Sequence, residues 1–212
     1  MSCSWEGEAN FVGMKKNKWA DHYARRAKEE AWFARSVYKL EELDKKFRLF
    51  RPGNRVLDLG CSPGSWSQYA YRKVGPKGKV IGIDLKKPRG GISERFSFVE
   101  ADIFDLDLGE LLRNIGQVDL VISDLAPKTS GARGVDAARS MTLAQRAMEV
   151  ADKALKPGGK FVCKVFESGD TAQFRALLKK RYREVKAFRP KAVRKGSREI
   201  YFVGITKKRY DI

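Results

Sequence analysis

One segment constrains this chain more than any other: Val56-Leu57-Asp58-Leu59 runs straight into Gly60-Cys61-Ser62-Pro63-Gly64, and Ser65-Trp66 follows. A short apolar run of this kind is a strand buried on both faces, as in a parallel sheet. When such a strand ends on an acid and a glycine bend and then opens a helix, it leaves a pocket at the carboxyl edge of the sheet. A nucleotide-containing cofactor belongs there.

The turn itself separates three kinds of chemistry. Gly60-Cys61-Ser62-Pro63-Gly64 fits the G-x-S-x-G elbow of a hydrolase, with Ser62 as nucleophile. That oxyanion hole needs the N–H of the residue after the serine, and Pro63 has none. The only histidine, His22, also lies upstream of the serine rather than after it. A dinucleotide site needs G-x-G-x-x-G, and here the glycine that lets a pyrophosphate approach is missing. NAD is therefore the weaker alternative. A turn without phosphate-cradling glycines, behind an acid, suits a cofactor with a zwitterionic amino-acid end and no phosphate: S-adenosylmethionine.

Two further acids agree. Lys79-Val80-Ile81-Gly82-Ile83-Asp84 reads as a second strand closed by a carboxylate, placed to accept from two ribose hydroxyls. Phe96-Ser97-Phe98-Val99-Glu100-Ala101-Asp102 reads as a third strand, again closed by an acid. A simple tight turn would explain the glycines. It does not explain three consecutive strand ends carrying carboxylates, which are costly to bury unpaired.

The rest of the chain continues the alternation. Helices are expected at 65–74, 136–155 and 171–180, with further strands at 118–124, 160–166, 184–188 and 199–206. This predicts an α/β, Rossmann-like fold with a mostly parallel seven-stranded sheet and helices on both faces. Residues 19–46 are mostly helical in pattern, with Trp32, Phe33, Val37, Leu40, Leu43 and Phe47 forming an apolar stripe for packing. At 212 residues and 42% hydrophobic content, one core suffices. The expected organisation is a disordered extension at 1–14 and one methyltransferase domain at 15–212, flanked by a basic helical segment and a basic C-terminal segment. No 18-residue apolar run or signal-like core occurs, so a cytoplasmic protein without a membrane span is expected. Cys3, Cys61 and Cys163 have neither disulfide nor zinc spacing and read as free thiols. No metal is expected.

Charge identifies the partner by where it lies. Lys and Arg number 44 against 26 Asp and Glu, a net charge of +18. Residues 52–178 are nearly balanced, with 19 basic and 15 acidic side chains. Residues 15–51 carry 12 basic against 6 acidic, and residues 179–209 carry 13 against 2. Cationic flanks around a balanced body read as a polyanion-binding rim for nucleic acid. A membrane surface fits less well, because no stretch joins these charges to an apolar insertion face. Phosphate contacts by such a rim make binding salt-dependent, with a log–log slope of about −0.7 per phosphate on single strands.

Taken together, DLGCSPGSWSQY, Asp84, Asp102, SDLAP at 123–127, CKVF at 163–166 and SREIYFV at 197–203 resemble the FtsJ/RrmJ (RlmE) family of ribose 2′-O-methyltransferases. The resemblance covers residues 18–206, with Ser65 where a second glycine is often found. It implies a Lys-Asp-Lys-Glu catalytic tetrad at Lys39, Asp124, Lys164 and Glu199, and cofactor contacts at Gly64, Trp66, Asp84, Asp102 and Asp124. It also implies ribosomal RNA of the large subunit as partner, with a uridine as target. Transfer RNA is the alternative substrate, because relatives of the family act on it. A non-catalytic, RNA-binding assembly factor on the same fold is the alternative function. Nothing calls for an obligate interface, so a monomer is expected.

The chemistry asks for the same residue types. Attack by a ribose hydroxyl on a sulfonium methyl needs the oxygen held in line and its proton removed. With His22 outside every motif, the base is a lysine or a carboxylate. Lys164 follows Val162-Cys163 and precedes Val165-Phe166, which marks a buried strand end rather than a surface charge. Lys164 is assigned as proton acceptor, Asp124 as the group orienting it near the sulfonium, and Lys39 and Glu199 as positioning residues. A lysine works as a base only when partly neutral, which a neighbouring cation favours and a carboxylate opposes.

Overall fold

The computed structural model describes residues 18–89 and 94–209. The expected N-terminal extension and Cys3 lie outside these residues. Seven strands, β1 (Arg55–Leu59), β2 (Lys79–Asp84), β3 (Phe96–Glu100), β4 (Val118–Ser123), β5 (Leu155–Phe166), β6 (Tyr182–Phe188) and β7 (Glu199–Lys207), form one sheet. Their order is β3-β2-β1-β4-β5-β7-β6. Every pairing from β3 to β5 is parallel, whereas β7 runs antiparallel to both β5 and β6.

Six helices cover the faces: α1 (Lys18–Glu29), α2 (Val37–Phe47), α3 (Ser65–Val74), α4 (Leu108–Ile115), α5 (Arg133–Ala154) and α6 (Thr171–Arg181). Successive side chains of a strand point to opposite faces, so β1 feeds two cores at once. Leu57 and Leu59 pack into a core with residues of α4, α5 and α6, and Val56 packs into a second core with residues of α2 and α3. A central strand buried on both sides reads as the continuous apolar run seen in the sequence. No helix of the described residues is long and apolar enough to cross a membrane. Cys61 and Cys163 are buried free thiols.

The structure departs from the expected elements in three places. The N-terminal helical stretch breaks across residues 30–36 into α1 and α2, with Ala31 at a positive φ of 56°. Helix α4, absent from the expectation, begins at Asp107, whose carboxylate accepts the Glu110 N–H at 2.9 Å. Asp107 and Glu110 carry the spacing of a capping box, ahead of the amphipathic Leu108, Leu111, Leu112 and Ile115. Strand β5 begins at Leu155 and takes in Pro157-Gly158-Gly159, five residues before the expected start at 160. Its register against β4 shifts between Val118 and Leu120 to absorb them.

Helix α2 is held against α3 at both ends. The Ser36 carbonyl accepts from the Trp66 indole N–H at 2.9 Å, and the Ser36 and Ser65 hydroxyls pair at 2.8 Å. At the far end the buried Asp44 carboxylate accepts the Leu49 N–H and the Tyr69 hydroxyl, each at 2.9 Å. A buried carboxylate with several donors is stable where a bare one is not. The result fixes the face of α2 that carries Lys39.

Candidate active site

The antiparallel insertion of β7 assembles the site. A parallel strand delivers its last residue to the carboxyl edge of the sheet, but an antiparallel one delivers its first. Glu199 opens β7 and lies opposite Phe166, the last residue of β5, while Lys164 lies opposite Tyr201. Asp124 follows the last residue of β4 directly. Three of the four expected tetrad members thus meet at one edge, and α2 brings the fourth, Lys39.

The four residues form two ion pairs. Lys164 Nζ lies 2.9 Å from Asp124 Oδ1 and also donates to the Asp124 main-chain carbonyl at 2.6 Å. Lys39 Nζ donates to Glu199 Oε2. Lys39 and Lys164 are only 8% and 6% exposed, so these are not solvated surface charges. Breaking a buried pair by removing one partner typically costs about 3–5 kcal/mol. Ser197 donates to Glu199 Oε1 at 3.1 Å and fixes its second oxygen.

Tyr201 belongs to the same cluster, and reading the sequence did not single it out. Its hydroxyl donates to Asp124 Oδ1 at 2.7 Å from a fully buried position. It sits two residues after Glu199, on the same face of β7. Strand alternation was the available signal. Burial pushes the Asp124 carboxyl up, but Lys164, Lys39 and the Tyr201 hydroxyl outweigh it and hold the group below its usual range. The Tyr201 hydroxyl is pushed well above 10.0 by burial and then by Asp124 and Glu199.

Beside the tetrad lies a cleft of about 340 Å³, in the size range of small-molecule sites. Asp84, Asp102 and Asp124 line it, and no Lys or Arg does. Its apolar walls include Leu85 and Phe104, 62% and 49% exposed. Large apolar side chains left this open beside a cleft are suited to cover a flat ring. Ser62 donates its N–H to Asp84 Oδ2 at 2.9 Å, and Phe104 donates its N–H to Asp102 Oδ1 at 2.9 Å, so both carboxylates are oriented by backbone. Acids with apolar walls and no cation fit a positively charged nucleoside cofactor without phosphate. S-adenosylmethionine meets each condition.

Gly64 and Trp66 stand outside the lining of this cleft. Gly64 has φ 114°, and a Cβ there would meet Phe33 Cδ2 at 2.9 Å and Pro88 Cβ at 3.0 Å. Only glycine fits this bend. The indole of Trp66 points to Ser36 and packs 5.9 Å, centroid to centroid, from Tyr201. It braces α2 and β7.

Asp58 lies beneath the cleft, fully buried on β1. Ser67 donates to its Oδ2 at 2.6 Å, and Oδ1 has no hydrogen-bond partner. Burial raises this carboxyl to about 7 against the pull of Ser67, and Asp124 and Asp84 push it further. Among the described residues, no group of three or more His, Cys, Asp or Glu could hold a metal ion.

The basic flanks gather at both edges of the sheet. Arg189, Arg194, Lys195 and Arg198, with Arg35, stand at the carboxyl edge around the tetrad. The guanidinium of Arg35 is depressed below its usual range by burial first and by Arg194 second. Glu42 on α2 accepts the Lys191 and Ala192 N–H groups at 2.7 and 2.8 Å, tying the loop between β6 and β7 to the helix that carries Lys39.

Residues 32–207 match the FtsJ-like methyltransferase family. The chain is 49% identical over 191 residues to Ribosomal RNA large subunit methyltransferase E of Bdellovibrio bacteriovorus, covering 89% of this chain and 97% of the relative. It is 47% identical over 194 residues to the protein of the same name from Desulfosudis oleivorans, covering 92% and 94%. A crystal structure described as a ribosomal RNA methyltransferase from Plasmodium falciparum superposes with a TM-score of 0.72 at 28% identity, over 83% of this chain and 98% of that one. The chain belongs to the FtsJ-like methyltransferase family, and its cofactor is S-adenosylmethionine.

Proposed function

We propose that this enzyme methylates a ribose 2′-hydroxyl, that of a uridine, in 23S ribosomal RNA of the large subunit, acting as a monomer in the cytoplasm. The observation that carries the reading is the double hold of Asp124 on Lys164 at the mouth of a cleft that Asp124 itself lines. The relatives' names point to the large-subunit RNA. The basic residues around the tetrad suit a phosphodiester partner.

When bound, S-adenosylmethionine supplies an electrophilic methyl group on a positively charged sulfur. Asp84 would hold the cofactor's ribose hydroxyls, Asp102 the polar edge of its base between Leu85 and Phe104, and Asp124 and the Trp66 N–H its amino-acid end. Lys164 supplies the base. With two N–H groups directed at the Asp124 carbonyl and carboxylate, one tetrahedral position of Nζ is left for the substrate. In the neutral amine that position is the lone pair, which takes the proton of the 2′-hydroxyl as the oxygen gains its methyl. Lys39 and Glu199, locked together, hold the target ribose, and Tyr201 keeps Asp124 from turning.

The experiment is to incubate the enzyme and methyl-labelled cofactor with large ribosomal subunits, naked ribosomal RNA and transfer RNA, and to map the labelled nucleotide. Label at one 2′-O-methyluridine of 23S RNA is the expected result. Label in transfer RNA would move the substrate, and no label in any RNA would leave a non-catalytic RNA-binding protein.

A further inference from the structure

The second group of basic residues lies where the reaction does not use it. At the amino edge of the sheet, where β1 and β5 begin and β7 ends, a cavity of about 720 Å³ is lined by Arg48, Arg51, Lys156 and Lys160, with Asp119 as the only carboxylate. Asp119 is already satisfied: it accepts the Arg55 N–H at 2.8 Å and pairs with Lys156 at 2.7 Å. A second cavity of about 620 Å³ continues from it across the shared Pro157, Gly158 and Thr206, and adds Arg183 and Arg209 and no acid. Together they form one trough on the side of the sheet opposite the tetrad.

Three observations separate this trough from an ordinary solvated surface. Arg48, Arg51 and Arg183 are exposed, and among the described residues no carboxylate pairs with them. Lys160 is partly buried and donates to the carbonyls of Phe47 and Arg48, and both burial and Arg51 depress its pKa, as unshielded cations gathered together require. The lip shared by the two cavities carries Thr206 at φ 61°, a conformation a β-branched residue rarely adopts, and Gly158 at φ 83° with open space where a Cβ would stand. Such backbone recurs where a surface is shaped for a ligand.

We infer that this amino-edge trough binds a second phosphodiester segment of the same RNA whose target nucleotide sits at the tetrad. The inference rests on the reading of the substrate as a large folded RNA. From Asp119 to Asp124 the strand rise spans roughly 17 Å, so one folded RNA with neighbouring helices reaches both edges, whereas a short fragment reaches only one. Phe47, Phe50 and Ile205 form part of the wall, but the charged side chains of the trough are cations apart from the already paired Asp119, which suits backbone phosphates. The trough therefore adds affinity for large RNA without choosing the nucleotide.

The test compares the Arg51→Glu/Arg183→Glu variant with the wild type in binding to naked 23S RNA and to a short fragment around the methylated position. The expected result is that the preference for long over short RNA falls about tenfold at low salt. The magnitude of the log–log salt slope for the long RNA should fall by roughly 1 to 2, about one phosphate contact per arginine. The milder Arg51→Gln/Arg183→Gln variant should give a smaller loss of the same kind, with an unchanged melting temperature showing that the fold is intact. An unchanged preference in the folded glutamate variant overturns the inference. Because binding needs no methyl transfer, an inactive enzyme would count against the methyltransferase reading and leave the trough's share of binding measurable.

Discussion

Lys164 on β5 stands directly across the ladder from Tyr201 on β7, and both side chains end on one oxygen, Asp124 Oδ1, at 2.9 and 2.7 Å. Two donors from neighbouring strands fix that carboxylate in orientation and in charge. Asp124 in turn fixes the lysine. The proposed acceptor of the substrate proton is thus positioned by a carboxylate that is itself held from a second strand.

Tyr201→Phe removes one donor from charged Asp124 and leaves no orphaned group behind. The loss of a hydrogen bond to a charged group predicts a fall in kcat of roughly tenfold with little change in KM. The Asp124 carboxyl should also titrate at higher pH, because one of the contacts that lowers it is gone. Carbon-13 shifts of the labelled carboxyl against pH would check this, and a structural role alone would leave that titration in place.

Lys164→Ala removes the proposed base; Lys164 does not itself line the cofactor cleft, and Tyr201 still holds Asp124. Methyl transfer should fall by about 10²- to 10⁴-fold, the usual contribution of a positioned general base. Cofactor affinity by calorimetry should stay near the wild-type value. Full turnover in this variant would mean that another group takes the proton.

Asp84→Ala and Asp102→Ala act on the other half of the site. Each removes a backbone-oriented carboxylate from the cleft wall, so cofactor affinity should weaken by about ten- to a hundredfold. Direct titration with S-adenosylmethionine measures it. An unchanged affinity would take the residue out of the pocket.

Asp58 predicts a pH dependence of stability. Its folded pKa is about 7 against 3.8 for the usual aspartate, so between those values the folded chain holds a proton that the unfolded chain releases. Stability from this group is greatest below about pH 4, falls as pH rises through that window and levels off above 7. Three pKa units correspond to about 4 kcal/mol. Asp58→Asn should abolish the slope, and urea unfolding at stepped pH would show the variant gaining on the wild type as pH rises.

Arg194→Glu reverses a charge at the edge that carries the tetrad. RNA affinity should drop more at low salt than at high salt, since phosphate contacts are screened by counterions. Filter binding at two ionic strengths distinguishes this from a folding defect, which would cost the same at both.

What could be read in the sequence was local. Strand β1, the glycine turn and α3 follow from an apolar run, a positive-φ bend and a helical pattern within twenty residues, and Asp84 and Asp102 follow from strands closed by acids. The same local logic, with its capping box, would have found α4. It could not locate the break between α1 and α2, because an apolar stripe continues through it.

The sequence by itself marked the acid-closed strand ends that line the cleft, because turn chemistry and strand ends are set by neighbours along the chain, and the resemblance to the family supplied the four expected tetrad positions. The tertiary structure alone decided the pairing. Lys39 meets Glu199 across 160 positions of sequence because β7 enters the sheet antiparallel and α2 docks through Ser36 on Trp66. The same sheet order sends one part of the cationic flanks to the tetrad and the other to the opposite edge. Charge counts along a chain carry no record of which end of a strand a residue will occupy.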